Sequence, residues 1–284
     1  MREIIFYFTG KNFPPISITG KKCALNCKHC GRRMLENLYY ATTNEELVNL
    51  ALKFEKKRAK GILLTGGCNS SGKVPITKFA KAIEKIKKET NLILLAHTGI
   101  INFEEAKILK EAGLDGVSLD IVADENVTQK IYGIRIPKEE YKNSLISLKK
   151  AKIDIISPHI CVGLNFGNLS HEFDSLKLVS TIKPKNLIII ALMPLKGTEM
   201  ENVNVNPRDV AMVFKEAKKL LPRTKIVLGC AHSTGENRAK IEELVLPIVD
   251  GIALPTPRIK KIAQKSKMSI IEQKTCCAIP RLER

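Results

Sequence analysis

Residues 23–30 read Cys23-Ala24-Leu25-Asn26-Cys27-Lys28-His29-Cys30, and the rest of the chain is organised around them. Three cysteines this close together cannot all pack on one face of a strand or a helix. They suit a loop that turns three thiolates inward onto one metal centre. Three protein thiolates leave a cubane iron–sulfur cluster one ligand short of the usual four cysteines. An open coordination position is also what catalytic metal sites keep.

The spacing C-x3-C-x2-C resembles the signature of the radical SAM enzymes. In that family the three cysteines hold a 4Fe–4S cluster, and S-adenosylmethionine (SAM) binds the fourth iron. The resemblance therefore implies catalytic and metal-binding roles for Cys23, Cys27 and Cys30. His29 stands where the family usually has an aromatic residue. The alternative is a zinc knuckle, completed by His29 or by a remote cysteine.

The composition narrows the class of protein. A chain of 284 residues can bury the core of one large barrel or of two smaller domains. It has no apolar run long enough for a transmembrane helix, and its opening residues lack the features of a secretory signal. We therefore predict a cytoplasmic protein with no membrane partner. Its eight cysteines are then expected to be metal or redox ligands rather than disulfides.

The charge balance is strongly basic, with 47 Lys and Arg against 29 Asp and Glu and a net charge of +18. Helices rich in Lys and Glu are typical of thermophile proteins, which is the interpretation we favour. The next is attraction to an acidic carrier protein. A nucleic-acid surface would mix basic and aromatic residues, and only 5% of this chain is aromatic. No nucleic-acid partner is predicted.

Strand-like and helix-like segments alternate along the chain. Thr43 and Glu46 predict a capping box that opens a helix, and Asn206-Pro207 predicts the start of another. The apolar runs lack a period of two, as expected for parallel strands buried on both faces. The pattern predicts an α/β fold, a parallel (β/α)8 TIM-type barrel that is complete or nearly so, with its site at the carboxyl ends of the strands. The eight predicted strands are residues 16–19, 61–65, 92–96, 116–120, 153–162, 187–192, 225–228 and 251–254.

No linker, low-complexity tract or internal repeat divides the chain. We therefore predict a single radical SAM barrel domain over residues 1–284, with its core at about 16–255. The C-terminal helix and a Cys-Cys tail occupy residues 257–284. This tail is predicted to cover the barrel mouth.

Polar residues follow several predicted strands, as a barrel site requires. Thr65-Gly66-Gly67-Cys68 resembles the Gly-Gly-Glu motif whose backbone holds the amino group of SAM, with Cys68 in place of Glu. Two glycines allow a close approach of the backbone to a ligand. Met193-Pro194-Leu195-Lys196-Gly197-Thr198 resembles the biotin synthase segment that cradles the methionine and adenine of SAM. By the same resemblance, Asp120 and His159 bind the ribose or contact the substrate; the alternative is an ordinary hydrogen-bonded role.

The segment from Gly67 to Lys73 also has the spacing of a phosphate-binding P-loop. Val74 follows it, where a P-loop has the Ser or Thr that binds magnesium. Nucleotide hydrolysis is therefore disfavoured.

Five further cysteines lie outside the first loop. Cys161 is predicted to be a buried core thiol within a strand. The other four are predicted to converge at the open end of the barrel and to hold an auxiliary iron–sulfur cluster. The alternative is scattered thiols with no common role. The four predicted ligands are Cys68, Cys230, Cys276 and Cys277.

Five short motifs resemble the biotin-synthase-like subunits of the two-subunit lipoyl synthases over nearly the whole chain. That resemblance implies a sulfurtransferase that cleaves SAM reductively to a 5′-deoxyadenosyl radical, abstracts hydrogen from an unactivated C–H, and inserts sulfur from the auxiliary cluster. The motifs are Ser-Ile-Thr-Gly at 17–20, Gly-Gly-Cys at 66–68, Leu-Met-Pro-Leu-Lys-Gly-Thr at 192–198, Leu-Gly-Cys at 228–230 and Thr-Cys-Cys-Ala at 275–278.

The same resemblance implies a substrate and partners. The substrate is an octanoyl chain on a lysine of an acidic carrier protein. The partners are an electron donor such as ferredoxin and a second related subunit. Two alternatives stay open: a radical SAM enzyme of a cofactor pathway without sulfur insertion, and a non-catalytic iron–sulfur or zinc protein.

Overall fold

A computed structural model of the chain describes residues 2–281, which form alternating strands and helices. The strands are β1 Glu3–Tyr7, β2 Pro15–Ser17, β3 Tyr39–Tyr40, β4 Gly61–Thr65, β5 Ile93–His97, β6 Gly116–Asp120, β7 Ile155–Val162, β8 Asn186–Ala191, β9 Lys225–Leu228, β10 Gly251–Ala253 and β11 Ser269–Gln273. The α-helices are α1 Asn44–Lys56, α2 Ala80–Glu89, α3 Phe103–Glu111, α4 Glu125–Tyr132, α5 Lys138–Lys150, α6 Glu172–Ser180, α7 Pro207–Leu220, α8 Gly235–Val245 and α9 Pro257–Lys265.

Local signals in the sequence set several helix boundaries. The hydroxyl of Thr43 accepts a hydrogen bond from the Glu46 amide, and the Glu46 carboxylate accepts one from the Thr43 amide, so the predicted capping box opens α1. Helix α4 was not predicted. Its signals are Asp124, whose carboxylate caps the first turn, and Gly133, which ends the helix with φ +76°.

All strand pairs are parallel, and the predicted eight strands are present as β2 and β4–β10. The sheet order is β11-β1-β10-β9-β8-β7-β6-β5-β4-β2-β3, so the sheet is an open half-barrel. The predicted parallel α/β sheet of TIM type is therefore confirmed, but the prediction that its barrel is complete or nearly so is wrong. Closure would require β10 to pair with β2. Instead β1 occupies that edge of β10, β11 pairs with β1, and β3 takes the free edge of β2.

Neighbouring residues of a strand point to opposite faces of the sheet, and both faces are apolar. On β1, Ile4 and Phe6 belong to the core shared with the helices. Ile5 and Tyr7 belong to a second cluster inside the curled sheet, together with Leu95 and other strand residues. We call the space inside the curled sheet the lumen.

The C-terminal tail, residues 274–281, runs through the lumen. It starts at the carboxyl end of the sheet, where Gln273 is paired with Tyr7. The Ala278 carbonyl then accepts hydrogen bonds from the Ser157 hydroxyl at 2.6 Å and the Asn186 side chain at 3.2 Å. Arg281 ends at the amino end of the sheet, paired with Glu3 at 2.8 Å.

This path differs from the predicted cover over the barrel mouth. Residues 276–279 are buried among the inward-facing strand residues and fill the amino half of the lumen. The apolar side chains of the tail are buried there, whereas at the barrel mouth they would be exposed to water.

Within residues 2–281, no helix is both long and apolar enough to cross a membrane.

Candidate active site

The cysteine loop follows β2 and is anchored on the glycine turn after β4. The Cys68 amide donates to Sγ of Cys23 at 3.3 Å, and the Ala24 amide donates to the Cys68 carbonyl at 2.8 Å. A Cβ on Gly67 would overlap the Lys22 carbonyl and lie 2.5 Å from Cβ of Cys23. Only glycine at position 67 allows the two loops to pack in this way.

The thiols of this region influence one another, which shows that they are neighbours. Burial raises the pKa of Cys27 to about 12, helped by the thiols of Cys30 and Cys23. Burial likewise raises the pKa of Cys68 to about 12, with Cys23 and Asp120 adding to the shift. Without a metal these two thiols are protonated at neutral pH. Metal binding here must therefore release protons.

The segment after β8 lies against the cysteine loop from the other side. Lys28 pairs with Glu199 at 2.9 Å. Gly197 has φ +79° and leaves no room for a Cβ beside the guanidinium of Arg33. Met193 and Pro194 begin this segment at the carboxyl end of β8. The segment predicted to hold SAM therefore comes next to the predicted cluster loop.

Above the tail, polar side chains lie on the inner face of the sheet, and we call the part of the lumen that they face the chamber. Along β7, His159 shares the inward face with Ser157, whose hydroxyl bonds to the tail. The His97 and His159 rings meet edge to face, 5.6 Å apart, and His159 pairs in register with Asp120. Asp120 ends β6 and is exposed toward this space.

Both chamber histidines are neutral at neutral pH. Burial and, to a smaller extent, the nearby His159 lower the pKa of His97 to about 4, while Asp120 acts in the opposite direction. Burial also lowers the pKa of His159. Nδ1 of His159 donates to the Ser157 carbonyl at 2.9 Å, because a carbonyl can only accept; Nε2 is therefore the acceptor nitrogen.

A second thiol group lies where the tail passes β9. The thiols of Cys230 and Cys276 lie close enough to Cys277 to raise its pKa well above the ordinary value, together with burial. The neighbouring Cys277 thiol lowers the pKa of Cys230 to about 7. Cys276 and Cys277 are buried and Cys230 is exposed. Three of the four cysteines predicted for an auxiliary cluster are thus together.

The fourth, Cys68, is not with them among the described contacts. Its neighbours are Cys23 and Cys30 in the first loop, because the glycine turn holds it there. The sequence interpretation of Cys161 as a core thiol did not include the face of the strand on which it lies. Cys161 follows His159 by two residues on β7, so both are on the inward face, and the alternation of side chains along the strand could have predicted this.

The P-loop alternative does not fit the structure. The side chain of Asn69 accepts the amides of Ser71 and Lys73, both at 3.0 Å, and these are groups that would otherwise face a phosphate. The Lys73 ammonium is paired with Glu105 at 2.9 Å.

The family model of the radical SAM superfamily matches residues 17–178, more than half of the chain. The chain belongs to the radical SAM superfamily. It is 29% identical over 240 residues to a biotin synthase of Clostridioides difficile (strain 630), covering 79% of this chain and 70% of that protein. This relative supports the biotin-synthase-like branch.

Two solved structures share the fold. The [FeFe]-hydrogenase maturase HydG superposes with a TM-score of 0.64 at 18% identity, covering 89% of this chain. This chain spans only 57% of the length of that maturase. Methylornithine synthase superposes with a TM-score of 0.62 at 16% identity, covering 95% of this chain and 83% of the other.

Members of this superfamily bind a 4Fe–4S cluster and SAM, and the residues present fit both. The loop offers three clustered thiols, one of which already accepts a backbone amide, beside a glycine turn that a Cβ would block. Among residues 2–281, no three Cys, His, Asp or Glu side chains surround one point closely enough for a single ion. A zinc knuckle would need that arrangement, whereas each cysteine of a cubane binds a different iron.

Proposed function

We propose that this chain is a radical SAM sulfurtransferase of the lipoyl-synthase type, with two iron–sulfur sites at one chamber. The observation that carries the proposal is the presence of two groups of thiols in one half-barrel. The first is the loop of Cys23, Cys27 and Cys30 beside the glycine turn. The second is Cys230 with Cys276 and Cys277 inside the lumen.

The first loop would hold the 4Fe–4S cluster. Gly66 and Gly67, with Thr65 before them and Met193-Pro194 opposite, would hold SAM by backbone contacts. When bound, the two groups supply a 5′-deoxyadenosyl radical on one-electron reduction. An electron donor is required.

The chain's own residues shape the chamber. The tail fills the amino half of the lumen and excludes water from that part of it. This matters because a primary carbon radical reacts with most C–H bonds it meets. Neutral His97 and His159 offer hydrogen bonds without charge, and Asp120 is the carboxylate that faces them. These three side chains would position the polar parts of SAM and substrate.

The second thiol group would hold the auxiliary cluster as sulfur donor. Cys68, placed beside the first loop, would instead line the space between the two sites. We assign the auxiliary ligands to Cys230, Cys276 and Cys277. Vicinal cysteines seldom bind the same iron, so Cys276 and Cys277 would serve different irons, or one would be spare.

The substrate and partners follow from the lipoyl-synthase resemblance. The substrate would be an octanoyl chain on a lysine of an acidic carrier protein, with a second related subunit adding the other sulfur. The strongly basic chain suits an acidic carrier. We also propose a single domain acting in the cytoplasm.

The test is metal content after anaerobic reconstitution. Wild-type protein should bind about two cubane equivalents per chain if both sites are cysteine-ligated. The double variant Cys276→Ser with Cys277→Ser should lose one of them and still form 5′-deoxyadenosine. Cys161→Ser removes a lumen thiol outside both groups and should keep all the iron. Full iron and sulfide in the double variant would rule out the auxiliary site, and leave a radical SAM enzyme without sulfur insertion.

A further inference from the structure

A fourth thiol, that of Cys68, lies beside the loop of Cys23, Cys27 and Cys30. The Cys68 amide donates a hydrogen bond to Sγ of Cys23 at 3.3 Å, and the Cys68 carbonyl accepts one from the Ala24 amide at 2.8 Å. The backbone of Cys68 is therefore bonded to the loop on both sides of its Cα. Its side chain starts next to the Cys23 sulfur.

The glycine turn holds Cys68 in this position. The Gly67 amide donates to the Thr19 hydroxyl at 2.7 Å, and a Cβ built on Gly67 would lie 2.5 Å from Cβ of Cys23. The residue before Cys68 is thus in direct contact with the loop and is also fixed to the segment after β2. The Cα of Cys68 is set by these neighbours, whatever the conformation of its own side chain.

The four thiols are electrostatic neighbours. Burial raises the pKa of Cys68 to about 12, and the thiols of Cys23 and Cys30, with Asp120, add to the shift. The Cys68 thiol in turn adds to the effect of burial on the pKa of Cys27. Cys68 therefore lies within electrostatic range of all three loop cysteines, and it forms no disulfide. Four thiols are the number that a cubane cluster normally takes.

The loop cysteines leave one iron of their cluster to another ligand. Each cysteine of a cubane binds a different iron, so three cysteines bind three irons and SAM binds the fourth. Gly66 and Gly67 would hold SAM, and Cys68 follows them directly in the chain. Cys68 and SAM would therefore reach the fourth iron from the same turn and compete for it.

We propose that Cys68 binds the fourth iron of the first cluster when SAM is absent and leaves that iron when SAM binds. This proposal rests on the first cluster of the proposed function and does not need sulfur insertion. As the bond between iron and sulfur forms, the Cys68 thiol releases its proton. When SAM binds, that bond breaks, and the Cys68 thiolate takes up the proton that the SAM ammonium loses to bind iron. No electron is transferred in either direction.

This exchange closes the cluster whenever SAM is absent. A cubane with three cysteines exposes its fourth iron, which oxidants remove to leave a 3Fe–4S cluster. Coordination by Cys68 should protect that iron. The same bond should weaken SAM binding, because the apparent dissociation constant rises as the fraction of protein with an open iron falls.

The test compares clusters that differ only in this thiol. The parent protein is Cys276→Ser with Cys277→Ser, so that the second thiol group adds no signal. Cys68→Ala is made in this parent. Cys161→Ala is the matched control, because it removes an inward-facing thiol that lies outside both groups.

Each protein is reconstituted anaerobically, and its iron is measured. Samples without SAM are then treated with limited ferricyanide, and the 3Fe–4S cluster is quantified by electron paramagnetic resonance. The dissociation constant of SAM is measured on untreated protein by equilibrium dialysis.

We expect Cys68→Ala to keep the iron of the parent and to form several times more 3Fe–4S cluster. Its dissociation constant for SAM should be lower by about tenfold, as expected if Cys68 occupies the iron in most of the parent protein. Cys161→Ala should match the parent in both measurements. Saturating SAM should protect the parent and Cys68→Ala equally from ferricyanide.

The outcomes separate the two proposals. A parent that forms no cluster would contradict the proposed function. If the parent holds its cluster, equal 3Fe–4S yields and equal SAM affinities for the parent and Cys68→Ala would overturn the exchange alone. Loss of the cluster from both Cys68→Ala and Cys68→Ser would make Cys68 an obligatory ligand and overturn the exchange equally.

Discussion

At the scale of single residues, the glycine turn shows what sequence can and cannot predict. The Gly66-Gly67 pair was predicted to approach a ligand. The structure adds a second demand, because Gly67 packs directly on the backbone of Lys22 and Cys23. Such a contact joins residues far apart in the chain and leaves no local trace in the sequence.

We expect Gly67→Ala to displace the cysteine loop. Its new Cβ would meet backbone atoms, which cannot give way as a flexible side chain can. Reconstituted Gly67→Ala should lose most of the iron of the first site and most 5′-deoxyadenosine formation.

Gly66→Ala is the matched control. Its Cβ would meet the Thr19 side chain at 3.0 and 3.2 Å, so a small side-chain shift should preserve most of the iron. Equal iron contents for Gly67→Ala and the wild type would refute this account of the loop packing.

The cysteines likewise include some whose neighbours the sequence predicts and one whose neighbours it does not. The spacing within residues 23–30 sufficed to predict that Cys23, Cys27 and Cys30 cluster. The proximity of Cys230 to Cys277 was anticipated from the tail, although the path of the tail was not. Cys68, predicted to join them, lies beside the first loop instead, because its position depends on how the glycine turn packs on that loop.

At the scale of elements, the eight barrel strands were predictable from their apolar runs. The sequence pattern does not include β1 and β11, the strands that prevent closure, among the barrel strands. β1 is a short apolar segment like the others and β11 has only Ile270-Ile271 as its apolar part, and only tertiary pairing shows that β1 takes the edge of β10 and β11 the edge of β1. The path of the tail depends on hydrogen bonds from the buried side chains of Ser157 and Asn186. The periodicity of the sequence cannot predict these bonds.

The tail should contribute strongly to stability, because it fills the amino half of the lumen. Ile279 is 1% exposed within that cluster. Ile279→Ala should lower the free energy of unfolding by about 2–5 kcal/mol, as cavity-forming substitutions do. Anaerobic denaturant titration measures this change.

Leu244 on α8 is the control, since it is 42% exposed. Leu244→Ala should change the free energy of unfolding by less than about 0.5 kcal/mol. Equal effects of the two substitutions would show that the tail is not packed in the lumen.

At the scale of the whole molecule, the chain carries five histidines, and burial lowers the pKa of each. His171 is completely buried, and this burial lowers its pKa although the neighbouring Glu172 acts in the opposite direction. The net charge of +18 adds to the cost of any further protonation.

This predicts acid sensitivity of the folded protein. Above about pH 6.5, histidines are neutral in both the folded and unfolded chains and have no effect. Below that pH the unfolded chain takes up protons that the folded chain refuses, until the lowered pKa, about 4 for His97, is reached. Stability should therefore fall as pH drops through this window, by up to about 1.4 kcal/mol per unit for each buried histidine.

Denaturant titrations of metal-free protein at pH 7.5 and 5.5 check the effect. His171→Gln should flatten the dependence on pH, because it removes one titrating group. Stability that stays constant or rises toward pH 5.5 would contradict the burial of these histidines.

The central claim is that Cys23, Cys27 and Cys30 hold a cluster that cleaves SAM reductively, and one assay tests it most directly. Anaerobically reconstituted protein is mixed with SAM and dithionite, and 5′-deoxyadenosine is quantified beside Cys27→Ser. We predict formation by the wild type and none by the variant. A wild type that carries its iron yet forms no 5′-deoxyadenosine, or a Cys27→Ser variant that forms as much, would contradict the account.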